Sequence, residues 1–203
     1  MIKLYHHPMT RSLRVLWLLE ELGLAYSLET PDLCLPAEGK IFAQETPMGR
    51  FPTMEDGPIT MCESGAIVEY LIERYGGGHF APPKDSPLRA KYLQWLHFPE
   101  GTISPYLSAI HRFEKLLPET AIVMKKELDI AIEFVDQALS NSQYIVGEDF
   151  TGADIMLTVS LLSVNVLGLL DDKHTNITAY LQRLQSRPVC RKMLNLHRGE
   201  TVS

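Results

Sequence analysis

The chain has 203 residues, 45% hydrophobic and 22% charged, proportions that exclude a disordered, fibrous or membrane-embedded polypeptide and leave room for one large or two small cores. A formal net charge of -6, with no run of Lys and Arg to offset it, argues against a nucleic-acid partner, because a phosphate backbone would repel it. The odd, widely spaced Cys34, Cys62 and Cys190 suggest neither a disulfide framework nor a zinc knuckle and suit a reducing cytoplasm; residues 1–5 lack secretory features and no window approaches eighteen apolar residues, so no membrane span is expected.

In chain order, residues 2–5 read as a strand. Residues 11–22 follow as a helix, buried on most sides by Leu13, Val15, Leu16, Leu18 and Leu19. Residues 25–29 read as a second strand and 37–44 as a short helix. The runs 53–54 and 59–61 flank the turn Glu55-Asp56-Gly57-Pro58, a hairpin signal. Residues 65–75 are helical by pattern, with Ile67, Val68, Tyr70, Leu71 and Ile72 on an apolar face that three glycines end. The order βαβαββα defines an α/β domain over 1–77. A Gly- and Pro-rich linker over 78–87 leads to an all-α domain over 88–203, where apolar residues recur at helical spacing.

The clearest local signal lies in Phe150-Thr151-Gly152-Ala153-Asp154-Ile155. Thr151 can cap the amide three residues on while Asp154 reaches back to the Thr151 amide, with Phe150 and Ile155 placed as a hydrophobic staple. A rigid helix over 153–169 through the domain centre is expected, with a structural role.

Several segments carry a family resemblance. Lys3-Leu4-Tyr5, Pro8, Thr10-Arg11-Ser12, Arg14-Val15 and the run from Trp17 to Leu24 resemble the opening strand and helix of bacterial and fungal cytosolic glutathione transferases. Residues 47–53 resemble their loop before the third strand, Glu63-Ser64-Gly65-Ala66-Ile67 their third-helix start, and 150–154 their capping motif. The resemblance implies a thioredoxin-like N-terminal domain that holds glutathione, an all-helical C-terminal domain, a homodimer, and a detoxifying transfer of the glutathione thiolate to a small apolar electrophile. A glutathione-dependent peroxidase or disulfide reductase, and a non-catalytic binding module on the same fold, are the alternatives.

Glutathione presents an ammonium and a carboxylate on its γ-glutamyl end, a thiol, and a glycine carboxylate. Ser64 at a helix start suits the γ-glutamyl carboxylate, and Glu63 the ammonium; simple capping is the bland alternative for this pair. The resemblance implies a cis Phe51-Pro52 bond that turns the Phe51 backbone toward the cysteinyl residue, whereas the sequence taken by itself favours a trans Pro opening a strand. Lys40, Gln44 and Arg50 fall where similar proteins approach the glycine carboxylate.

For the thiol activator, Thr10 ranks first, then Ser12, then Arg11. A free thiol has a pKa of ~8.5, and lowering it two units takes roughly 2.7 kcal/mol of selective stabilisation, which a hydroxyl at a helix mouth can largely supply. N-capping is the alternative role for Thr10 and Ser12. Because no cysteine occupies residues 6–12, a protein-glutathione mixed disulfide there is disfavoured. Cys34 and Cys62 read as small buried hydrophobes and Tyr5 as core. His6 and His7 lack further ligands at metal spacing, so no metal is expected. His7, with Tyr106 and His111 of the helical half, is a candidate wall of the electrophile pocket.

Overall fold

The computed structural model describes residues 1–30 and 47–197; the helix expected over 37–44, with Lys40 and Gln44, and also Cys34, lie outside the described residues. The elements are β1 (Ile2–Tyr5), α1 (Ser12–Glu21), β2 (Tyr26–Glu29), β3 (Thr53–Asp56), β4 (Ile59–Cys62), α2 (Ser64–Tyr75), α3 (Arg89–Phe98), α4 (Ser104–Phe113), α5 (Pro118–Ala138), α6 (Gly152–Val166), α7 (Thr175–Gln185) and α8 (Pro188–His197). A π-helical turn, Pro99–Ile103, joins α3 to α4. Two compact units result: residues 1–77 with the segment from 185 onward, and residues 78–184.

In the first unit the strands run β2-β1-β3-β4. β1 pairs parallel to β2, Ile2 opposite Tyr26, and antiparallel to β3, Tyr5 opposite Thr53. Gly57 takes φ +60° at the turn between β3 and β4, the left-handed conformation that a two-residue hairpin turn requires and glycine adopts without cost. Helix α1 is buried from Ser12 to Leu19 without a break, because β1, α2 and α8 all pack on it. That explains why its sequence shows no exposed polar stripe.

Helix α8 therefore belongs with the sheet rather than with the helical segment before it. Arg187 donates to Glu21 at 2.8 Å and Lys192 to Glu20 at 2.7 Å, while Cys190 is fully buried and its thiol is pushed up to about 12 by that burial. An uncharged thiol in such a place packs and does not react.

In the second unit α6 is the buried axis: every residue from Gly152 to Leu161 is buried. Its start bears out the expected capping box. Asp154 accepts from the Thr151 amide at 2.8 Å, the Thr151 hydroxyl at 3.0 Å, the Ile145 amide at 2.9 Å and the Tyr180 hydroxyl at 2.9 Å. The Gly152 amide donates to the Phe80 carbonyl at 2.8 Å, so the helix end leaves few orphan donors. Phe150 packs its ring against Phe80 and Tyr144. The helix ends at Val166, short of the expected Leu169. Gly168 at φ +66° turns the chain back, and the Leu169 amide closes on the Val164 carbonyl. The π-helical turn lies where Pro99 and Pro105 remove two backbone donors, and the Ser104 amide reaches back to the Pro99 carbonyl.

Candidate functional site

The site is assembled in the first unit from three places: the β1–α1 loop, the approach to β3, and the start of α2. The loop leaves β1 at His6, whose amide donates to the Glu29 carbonyl at 2.8 Å, and turns at Met9 with φ +62°. Its polar groups knit together. The Thr10 hydroxyl donates to the His7 carbonyl at 2.7 Å and lies 2.7 Å from the Ser12 hydroxyl, which is 2.8 Å from His6 Nδ1. His6 is 5% exposed. Burial, with His7 beside it, lowers its pKa to about 4, so the ring is neutral at ordinary pH.

Across from this loop, the Phe51-Pro52 peptide is cis, as the resemblance implied, and leads into β3. Thr53 pins the turn by donating to the Arg50 carbonyl at 3.0 Å. After β4 the chain enters α2 through Glu63 at φ +72° and ψ +106°. An L-residue pays steric strain of about 1–3 kcal/mol for a conformation of this kind, and such residues persist where the surroundings over-determine them. Ser64 then opens α2, and its hydroxyl accepts from the Arg14 guanidinium at 2.9 Å. Arg14 is 1% exposed. A guanidinium removed from water costs several kcal/mol unless hydrogen-bonded acceptors surround it, so its place behind Ser64 concentrates positive charge at the mouth of α2.

Two adjoining hollows open on these groups. One is lined by Arg11, Met48, Arg50, Phe51, Pro52, Cys62, Glu63 and Ser64. The other is lined by Met9, Thr10 and Gly49 and shares Arg11, Arg50 and Phe51 with the first. Both α1 and α2 begin here, so the positive ends of two helix dipoles bear on one place. The walls of the two hollows thus carry the Ser64 hydroxyl, the Glu63 carboxylate and the Thr10 hydroxyl.

Of the residues named from sequence, Thr10, Arg11, Arg50, Phe51, Pro52, Glu63 and Ser64 all line these hollows. Ser12 does not: it is fully buried behind Thr10, so its hydroxyl serves the loop's internal network. The His7 ring sits 5.7 Å from that of Phe51. Tyr106 and His111 lie on α4 in the second unit, half-buried and exposed respectively, and Lys40 is outside the described residues. Cys62 is half-buried, against the expectation of a buried residue, with its thiol 3.9 Å from the Met48 sulfur. Sequence reasoning missed Arg14 and His6. Arg14 had a usable signal: one charged residue inside an otherwise apolar helix face. Among the described residues no group of three or more His, Cys, Asp or Glu is placed to hold a metal ion, and no helix is long and apolar enough to cross a membrane.

Comparison with known proteins bears on the family and the fold. Residues 1–73 match the family model "Glutathione S-transferase, N-terminal domain" and residues 101–188 match "Glutathione S-transferase, C-terminal domain". Glutathione S-transferase 3 of Schizosaccharomyces pombe is 28% identical over 94% of this chain and 86% of its own length. Mouse glutathione S-transferase theta-1 is 31% identical over 71% of this chain and 65% of its own. A crystal structure of a glutathione S-transferase from Actinobacillus pleuropneumoniae shares the fold with a TM-score of 0.85 at 28% identity, covering 98% of this chain and 94% of that one. With both halves of the architecture matched in order, the chain belongs to the glutathione S-transferase family.

Proposed function

We propose that this protein binds reduced glutathione in the hollow at the mouths of α1 and α2 and transfers its thiolate to a small apolar electrophile. The observation that carries the reading is the convergence of Phe51, Glu63 and Ser64 in one hollow, with buried Arg14 on Ser64. The γ-glutamyl carboxylate sits at the Ser64 hydroxyl and the α2 amides, its ammonium faces Glu63, and the cysteinyl backbone runs beside Phe51. Arg50 takes the glycine carboxylate, with Lys40 as its proposed companion. The sulfur then falls toward Thr10.

Thr10 is the thiol activator in this reading. It is half-buried and lines a hollow shared with Arg11 and Arg50, so its hydroxyl can donate to a thiolate while two cations and the α1 dipole favour the anion. The fully buried Ser12 ranks behind it as a supporting hydroxyl. His7 beside Phe51 flanks the reacting sulfur, and Tyr106 and His111 remain candidate contacts of the electrophile. A cytoplasmic homodimer acting in detoxification completes the proposal.

The test combines calorimetry with the pH dependence of thiolate absorbance. Wild type should bind glutathione, and Ser64→Ala should weaken it about ten- to a hundredfold, the loss of one or two hydrogen bonds to a charged group. Thr10→Ala should leave affinity for the protonated tripeptide nearly intact and return the bound thiol pKa toward its free value. No binding in wild type, or a thiol pKa indifferent to Thr10, would sink the assignment.

A further inference from the structure

We infer that His6 is a positioning residue for thiol activation: with its ring proton on Nδ1 it fixes the direction of the hydroxyl protons of Ser12 and Thr10, so that the Thr10 proton is the one left to point at the glutathione sulfur. The inference rests on the reading of Thr10 as activator given above.

Counting donors decides the direction. His6 Nδ1, Ser12 Oγ and Thr10 Oγ1 form a chain with links of 2.8 and 2.7 Å, and two hydroxyl protons serve it. If the ring carried its proton on Nε2, bare Nδ1 would take the Ser12 proton. The short Ser12–Thr10 contact would then need the Thr10 proton, leaving none for a ligand. With the proton on Nδ1 the chain reverses. Ser12 Oγ accepts from His6 Nδ1 and from the His7 amide at 3.3 Å and donates to Thr10 Oγ1, at 2.7 Å a much closer acceptor than the His7 carbonyl at 3.3 Å. Thr10 Oγ1 also lies 3.4 Å from the Ser12 amide, so its acceptor sites are filled. Its own proton is held by the His7 carbonyl at 2.7 Å until a thiolate offers a charged acceptor, which makes the stronger bond.

Two further features fit this assignment. His6 is neutral at ordinary pH because burial lowers its pKa to about 4, so it carries one ring proton and has one tautomer to choose. Ser12 is fully buried, so water does not scramble the order of donors. No proton passes along the chain; the thiol proton leaves to solvent, and the hydroxyls supply a fixed donor in the sense of a preorganised dipole.

The experiment measures the bound-thiol pKa by thiolate absorbance in wild type, Thr10→Ala, His6→Phe and His6→Asn, with glutathione affinity measured below that pKa as a check on folding. His6→Phe should reduce the thiolate fraction at neutral pH about tenfold, as Thr10→Ala does, with no further loss in the double variant. His6→Asn, whose amide nitrogen can stand where Nδ1 stood, should restore most of it. A normal thiol pKa in His6→Phe, with a raised one in Thr10→Ala, overturns the role of His6 while leaving Thr10 in place. An unchanged pKa in Thr10→Ala removes the activator and this inference with it. Should His6→Phe not fold, nitrogen chemical shifts of the wild-type ring decide: a protonated Nδ1 supports the arrangement, and a protonated Nε2 overturns it.

Discussion

At the start of α6 the acceptor for the leading groups is built in. Asp154 gathers four donors and the Phe80 carbonyl takes the Gly152 amide. At the start of α2, by contrast, Glu63 places no side-chain cap on the helix, and a buried guanidinium adds to the positive potential; α1 lies between the two, its Ser12, Leu13 and Arg14 amides bonded to Thr10 Oγ1 and to the Thr10 and Arg11 carbonyls. The same electrostatic problem, leading amides at the head of a dipole, is closed internally at α6, while under the proposed function the carboxylate of glutathione closes it at α2. The closed end contributes stability; on that proposal the open end of α2 gives up part of its own for recognition.

The comparison breaks most visibly at Asp154. Asp154→Ala strands buried donors with no acceptor, and urea unfolding should register a loss of about 3–4 kcal/mol. A loss below about 1 kcal/mol would mean that the closed end is not where the second unit's stability is concentrated.

Acid should separate the two regions in sign. The His6 pKa in the folded protein, about 4, lies below the ordinary 6.5, so the folded state holds fewer protons. Its contribution is complete above pH 6.5 and is lost as pH falls toward 4, by about 3 kcal/mol for a shift of that size. Burial raises the Asp154 carboxyl instead, despite its donors, so acidification favours that corner of the folded protein. Unfolding free energies between pH 7 and 4, in wild type and His6→Asn, should show a slope in this window that the variant flattens; equal slopes would contradict it.

The smallest effect is expected at Glu63. Glu63→Gly relieves the strain of φ +72°, offset in part by a freer unfolded chain, for a net gain of about 1 kcal/mol in stability. Glutathione affinity should fall about tenfold through loss of the carboxylate facing the ammonium. A variant that gains stability and keeps affinity would remove Glu63 from the site.

What was legible in the sequence was local. The hairpin at Gly57 and the pairing of Thr151 with Asp154 depend on neighbours within a few residues, and turn and capping chemistry is written at that range. The open hollow was legible only through the family resemblance. The contact between Arg14 and Ser64 spans fifty residues, and no spacing rule reaches across a fold. His6 was visible as one of two adjacent histidines, with nothing in the chain to say that its ring turns inward to Ser12. The ranking of Thr10 over Ser12 came from the resemblance, and burial separates the two hydroxyls independently, Ser12 fully buried and Thr10 half-buried.

The first unit is discontinuous: its sheet and α1 are made early, yet α8, which pairs Arg187 and Lys192 with Glu21 and Glu20, is synthesised only after the whole helical unit. On the ribosome, then, the contiguous helical unit can complete itself while α1 still lacks one of its covers. The half of the molecule proposed to hold glutathione is thus finished after the helical unit, although most of it emerges before that unit.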